Sequence, residues 1–348
     1  MIPLASDTWG AEEKRAIEDV MASGRYTMGP KTEEFEQAYA DYCGTKYCVA
    51  VNSGSSANLL MVAAYTLRFE MRRPRVIVPA VGWSTSYSPF QQYGWELIFC
   101  DIDRDTLNYD LDKLHFATQL YEPDAVLAIN LLGNPNDFDS FPAVPVIEDN
   151  CEAMGAEYRG RKAGSFGVMA SHSTYFSHHM CTMEGGLITT DDVVYRDMLL
   201  SLRSHGWTRH LKHDNSLGAK VDKFHFILPG YNVRPTEMQC ALGLEQLKKL
   251  PGFIAQRREN ASRFPLRTQR EIGKSSWFGF VVYRDDWHRI KDYESRPVVT
   301  GNFLRQPAIK YYNHIGGTMR NADYIHDNAV MIGNSHERQE WHLLKEAA

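Results

Sequence analysis

Ser173-Thr174-Tyr175-Phe176-Ser177-His178-His179-Met180-Cys181-Thr182-Met183-Glu184-Gly185-Gly186 gathers two adjacent histidines, four serine or threonine hydroxyls, a carboxylate and a glycine pair. Packing alone seldom needs that mixture. A second feature is an omission: no lysine occurs from Ala163 to Leu211.

Upstream of this stretch the chain alternates short apolar runs with helical patterns. Tyr47-Cys48-Val49-Ala50-Val51 reads as a strand, Asn52-Ser53-Gly54-Ser55-Ser56 as a turn and Ala57 to Phe69 as a helix. Arg75 to Pro79 is a strand and Thr85 to Tyr93 a helix; Leu97 to Cys100, Ala125 to Ile129 and Val144 to Ile147 are further strands. The last runs into Glu148-Asp149-Asn150-Cys151-Glu152. Strands alternating with helices predict an α/β fold with a mostly parallel sheet covered on both faces. Ligands on such sheets bind beyond the carboxyl ends of the strands. That rule points to Ser53–Ser56, Trp83, Asp149, Glu152 and the Ser173–His178 segment.

Ala11 to about Met21 and Thr32 to Tyr42 are amphipathic helices ahead of the sheet. Beyond it, Val193 to Ser204 is a helix, Gly206 to Gly230 a long polar loop and Pro235 to Leu250 a strong helix. From about Pro251 a mixed segment follows, with a strand over Trp277 to Tyr283. A boundary near 250 is expected, giving a large domain over 1–250 and a small α+β domain over 251–348.

The 348 residues can bury a large core. Hydrophobic content of 43% and charged content of 23% are those of a soluble globular protein. A formal charge of -5 argues against a nucleic-acid partner, whose binding surface is normally basic. No apolar run approaches the ~20 residues of a membrane span. The N-terminus lacks the basic and apolar regions of a signal peptide. The six cysteines show no CxxC spacing, so neither a disulfide framework nor a zinc knuckle is expected, and the expected setting is the cytoplasm.

Taken singly, the chemistry-bearing residues admit two readings each. The Ser53–Ser56 turn is either an anion site at a helix N-terminus or an ordinary serine-capped loop. Asp149 is a metal ligand, a general base, the partner of a cationic ring, or a helix cap. Trp83 stacks on a planar ligand or fills core. His178 has the pKa range of a general acid/base. Histidines 172, 178, 179 and 205 with Cys181 fit no common zinc pattern, so no metal is expected.

The order of these features is more specific than any one of them. The carrying residues are Gly29 to Phe35, Tyr47 to Leu59, Val78-Pro79-Ala80, Glu148-Asp149, Gly155-Ala156, Gly164-Ser165-Phe166-Gly167, Glu184-Gly185-Gly186, and Gly230-Tyr231-Asn232-Val233-Arg234 with Glu237. Over nearly the whole chain they resemble the aspartate-aminotransferase fold (fold type I) of pyridoxal-phosphate enzymes, and within it the DegT/StrS family of nucleotide-sugar aminotransferases. The resemblance is weakest after Pro251, where this chain looks shorter than is usual. In that family a lysine five residues after the serine binds the cofactor covalently. Here Ser173 fits and the lysine position is His178. Tyr175-Phe176-Ser177-His178-His179 and Asp149-Asn150-Cys151-Glu152 are similar to a small branch that makes this replacement, the sugar 3-dehydratases.

That resemblance implies a lyase using pyridoxal 5'-phosphate and pyridoxamine 5'-phosphate on a nucleotide-linked 4-keto-6-deoxy sugar, with GDP-4-keto-6-deoxymannose as the expected substrate. The product is a 3-deoxy sugar for surface polysaccharide such as lipopolysaccharide O-antigen, and L-glutamate restores the amine. His178 is implied as the acid/base, with Ser177 and His205 flanking it. Gly54, Ser55 and Ser173 are implied to hold the phosphate, Trp83 to stack on the ring, Asp149 to keep the ring nitrogen protonated, and Glu152 to sit beside the ring oxygen. Asn232 is implied to reach the neighbouring subunit's phosphate, which requires a homodimer with shared active sites. His179 matches no required role. Three alternatives stand beside this reading. A dehydratase of a CDP-linked sugar needs an iron–sulfur cluster, for which no close cysteine set exists. A fold that has lost catalysis, a cofactor-binding or regulatory protein, is opposed by the retained Asp149, Ser173, Glu184 and Asn232. An aminotransferase using another lysine meets the lysine-free interval.

Overall fold

The computed structural model describes residues 1–341 together with Leu344; the remaining positions of the expected 251–348 domain lie outside the described residues. The large sheet contains β1 (Tyr47–Val51), β2 (Arg75–Pro79), β3 (Glu96–Cys100), β4 (Ala125–Ile129), β5 (Val146–Asp149), β8 (Met169–Ser173), β9 (Gly186–Thr190) and β12 (His314–Ile315). A two-stranded hairpin, β6 (Glu157–Tyr158) with β7 (Arg161–Lys162), lies between β5 and β8. A second sheet holds β10 (Gly279–Tyr283), β11 (Ser295–Pro297) and β13 (Ala329–Gly333).

The order across the large sheet is β1-β9-β8-β5-β4-β2-β3-β12. β9 runs antiparallel to both of its neighbours, and the other strands run parallel. Every residue of β4 and β8 is buried, as expected of strands covered on both faces. The covering helices are α1 (Ala11–Ser23), α2 (Pro30–Cys43), α3 (Gly54–Arg68), α4 (Ser84–Gln92), α5 (Leu111–Tyr121), α6 (Val193–Leu202) and α7 (Glu237–Ser262), with α8 (Arg320–Asn328) beside the second sheet. Because the strands are parallel, the ends of β1, β2, β4, β5 and β8 reach one rim of the sheet. That rim carries the site.

The structure departs from the sequence expectations in four places. α5 was not expected; Asp110 caps it by accepting from Lys113 N–H, and Leu114 and Ala117 form its buried face. β8 and β9 flank the Ser173–Gly186 stretch as strands and were not singled out. The helix expected to end at Leu250 runs on to Ser262 with Pro251 inside it. Proline removes one backbone donor, yet Leu250, Ile254 and Arg257 continue the buried stripe and carry the helix through. The expected division at 250 therefore falls inside α7. β12, far beyond it, joins the large sheet beside β3. The Gly206–Gly230 segment contains no helix or strand. Among the described residues no helix is long and apolar enough to cross a membrane.

Candidate active site

A cavity of about 430 Å³ opens at the rim. Its lining includes Gly54, Ser55, Trp83, Asp149, Glu152, Ser173, Ser177 and His178, eight of the ten nominated residues. One wall is the start of α3. Ser53 caps this helix by accepting from Ser56 N–H. Capping leaves the first-turn N–H groups of Gly54 and Ser55 free, at the positive end of the helix dipole. Gly54 is needed for proximity: a Cβ there would stand 2.7 Å from Ser173 Cβ and 2.9 Å from Cys151 Sγ. Ser173 ends β8 and brings its hydroxyl to the same corner, a cradle suited to an anion.

Asp149 ends β5 and is 5% exposed. Asn58 Nδ2 (2.9 Å) and Ser86 Oγ (2.6 Å) donate to Oδ2, and Cys151 N–H (3.1 Å) donates to Oδ1. Four residues after Gly54, Asn58 lies one helical turn on; Ser86 stands three after Trp83. Helical spacing from the nominated residues was the signal that could have found both. Trp83 is the N-cap of α4 and is 52% exposed, so it is not core.

The opposite wall comes from the loop after β8. His178 N–H donates to Tyr175 O at 2.9 Å. Its ring lies 5.2 Å from Phe278 and 5.8 Å from Tyr175, centroid to centroid. Its Nδ1 is buried without a partner. Burial, then the positive charges of Arg296 and Arg257, lowers its pKa to about 3, so the ring is neutral at physiological pH. Glu152 Oε2 accepts from Leu132 N–H at 3.1 Å. Burial pushes its carboxyl up to about 7, with Asp149 adding to the rise and the Leu132 N–H and Arg296 opposing it. Arg296 reaches the cavity from β11. Sequence reasoning missed it, because nothing local to Arg296 links it to residues more than a hundred positions away.

Two nominated residues lie outside this cavity. His205 (φ 62°) donates its N–H to Tyr231 O, and its ring sits 4.6 Å from Trp207. Asn232, bridged to Ser204, is exposed, and its Oδ1 accepts from Arg234 Nε at 2.9 Å. The other histidines of the segment are structural. His172 is wholly buried among Tyr39, Asn150 and Thr189, and His179 contacts Ser276 O. Among the described residues no three His, Cys, Asp or Glu side chains are grouped to hold a metal. Among the described residues no lysine lines the cavity. The rim thus combines an anion cradle, an exposed indole, a fixed carboxylate and a neutral imidazole around one space.

Comparison with known proteins agrees with this arrangement. The chain is 45% identical over 368 residues to GDP-4-keto-6-deoxy-D-mannose 3-dehydratase of Yersinia pseudotuberculosis, covering 95% of this chain and 93% of that one. It is 44% identical over 371 residues to the enzyme of that name from Escherichia coli O55:H7, covering 95% of each. A solved structure of GDP-4-keto-6-deoxymannose-3-dehydratase with a trapped PLP-glutamate geminal diamine matches with a TM-score of 0.93 at 42% identity, over 99% of this chain and 98% of that one. The architecture is the aminotransferase fold expected from the sequence. The model of the DegT/DnrJ/EryC1/StrS aminotransferase family matches residues 7–273, and the chain belongs to that family.

Proposed function

We propose that this chain is a pyridoxal-phosphate-dependent 3-dehydratase of a nucleotide-linked 4-keto-6-deoxy sugar, GDP-4-keto-6-deoxymannose before others. The single observation that carries the proposal is that His178, and no lysine, faces the cavity shared by Asp149, Ser173 and Trp83. The names of the similar enzymes support the same substrate.

The residues present fit the cofactor. The gap that a Cβ on Gly54 would fill, the free N–H groups of Gly54 and Ser55 and the Ser173 hydroxyl suit its phosphate. The exposed indole of Trp83 suits a ring face, and Asp149 suits a protonated ring nitrogen. Glu152 lines the same cavity and would suit the ring oxygen. When bound, the amine form of the cofactor supplies an electron sink conjugated to sugar carbon 4. His178 would accept the proton given up by the methylene carbon of that amine and return one to the hydroxyl that leaves sugar carbon 3. Its Nδ1 is sealed in protein, which leaves Nε2 for the exchange. Ser177, beside it in the cavity, orients the bound sugar. Because His178 is not an amine, it cannot hold the cofactor covalently, so the released aminosugar meets water. The balance is one glutamate and one sugar in, and one 2-oxoglutarate, one ammonia and one 3-deoxy-4-ketosugar out. The product suits surface polysaccharide assembly. All six cysteines are free thiols, which supports a cytoplasmic setting.

We assign Asn232 and His205 to the cavity of a second copy, since both lie outside their own. Mixing H178N with N232A subunits then rebuilds one intact site per mixed dimer, about a quarter of wild-type activity after random pairing. No recovery would remove the shared-site assignment.

The primary test follows purified protein with pyridoxal phosphate, glutamate and GDP-4-keto-6-deoxymannose by absorbance and mass spectrometry. A product lighter by one oxygen, with no nitrogen gained and lost in H178N, is expected. A product carrying an amine would make the chain an aminotransferase instead. Glutamate turnover with the sugar untouched would keep the enzyme class and move the search to other nucleotide sugars.

A further inference from the structure

Behind the catalytic wall lies a charge that the reaction scheme does not use. Arg257, on α7, is 4% exposed. Its Nη1 donates to Phe278 O (3.3 Å) and to Asn334 O, and its Nε has no partner. Only carbonyl oxygens accept from this guanidinium, and among the described residues no carboxylate pairs with it. A buried cation without a counter-ion is costly, and folds seldom keep one at random.

Its position relates it to the imidazole. Phe278, whose carbonyl holds Arg257, presents its ring to both His178 (5.2 Å) and His179 (5.8 Å). His179 is itself held at Ser276 O, 3.2 Å away. An unpaired positive charge across an apolar gap opposes a second positive charge on the histidine. Resting on the assignment of His178 as the acid/base, we propose that Arg257 is a positioning residue that acts through space to keep the His178 ring neutral at rest and quick to give up a proton once it has gained one. A dehydratase needs both properties, since one ring must accept a proton and then protonate a poor leaving group. Around His178 stand Arg296 from β11, Arg257 from α7, His179 and Tyr175 from its own loop, and the carboxylates Asp149, Glu152 and Glu184 that line the same cavity. Arg296 can pair with an incoming anion. Arg257 is sealed from solvent, and its effect persists through turnover.

The test is histidine-selective nuclear magnetic resonance on the full-length protein, before and after pyridoxal phosphate is added, with H178N assigning the signal. In the wild type the His178 ring stays neutral down to the acid limit of the folded state. R257M brings a His178 protonation midpoint above that limit, and in R257K, which keeps the charge, the ring stays neutral to the limit as in the wild type. The acid limb of the dehydration rate moves in step in R257M alone. A folded R257M whose ring stays neutral to the same limit, or the same midpoint appearing in both variants, overturns the proposal. Should R257M not fold, a wild-type His178 titrating near 6.5 before cofactor is added overturns it equally. None of these readings depends on which sugar is turned over, so failure here and failure of the substrate assignment are separable.

Discussion

The two walls of the cavity are built on opposite principles. On the Asp149 side both carboxylate oxygens are satisfied: Asn58 and Ser86 donate to Oδ2, and the Cys151 N–H and, at 3.4 Å, Ser171 Oγ donate to Oδ1. On the His178 side the ring leans on Phe278 and Tyr175, and its buried Nδ1 has no partner. A group that must hold one charge throughout a cycle benefits from being locked by hydrogen bonds. A group that must gain and lose a proton is hindered by the same treatment, because each bond favours one protonation state. The contrast fits the roles proposed for the two groups, a fixed electrostatic support and a working acid/base.

Four changes test that contrast. H178N should give the largest effect, lowering the dehydration rate by on the order of 10²–10⁴ while the cofactor spectrum is retained. Loss of cofactor binding instead would make His178 a structural residue. D149N should lower the rate by about 10²–10³ and also shift the cofactor absorbance, because the ring nitrogen loses its partner. A spectrum identical to wild type would put Asp149 elsewhere in the scheme. S86A removes one of the two bonds to Asp149 Oδ2 and should cost about 1 kcal/mol in cofactor affinity, roughly fivefold, measured by titration. An effect as large as that of D149N would mean that Ser86 itself touches the cofactor.

The smallest effect concerns Glu152. Its folded-state carboxyl titrates at about 7, above the ordinary carboxylate range, so the folded protein binds a proton that the unfolded chain has released. Its contribution to stability is complete below about pH 4.5, declines as pH rises toward 7 and is gone above that. Thermal unfolding of the cofactor-free protein should therefore lose less between pH 5 and 8 in E152Q than in wild type. Parallel curves would show that Glu152 is solvated as an ordinary carboxylate.

How much of this was legible before the fold was known depends on how local the information is. The turn at Ser53–Ser56, the strand end at Asp149 and the Ser173–His178 spacing are each written within a few residues, and parallel topology carries them to one rim. The partners of Asp149 were recoverable by counting one helical turn from Gly54 and Trp83. Arg296 and Arg257 were not. Both are brought to the site by the second sheet and by a helix whose end was misjudged, since Pro251 reads locally as a stop while the buried stripe Leu250–Ile254–Arg257 overrides it. The role proposed for Asn232 came from the family resemblance, since no spacing within one chain could indicate it.

The continuity of α7 has a practical consequence for anyone dividing this protein. At 1.5 Å per residue its 26 residues form a strut about 39 Å long. Near one end, the Glu237 carboxylate accepts the N–H groups of Gly29, Lys31 and Thr32, tying the strut to α2. Toward the other, Arg257 and Asn260 tie it to the second sheet through Asn334. A gene split at codon 250 would leave each fragment with half a helix and a row of stranded carbonyls and amides. A split within codons 206–230 would cut no helix and no strand, and the two pieces could be expressed separately and reassembled.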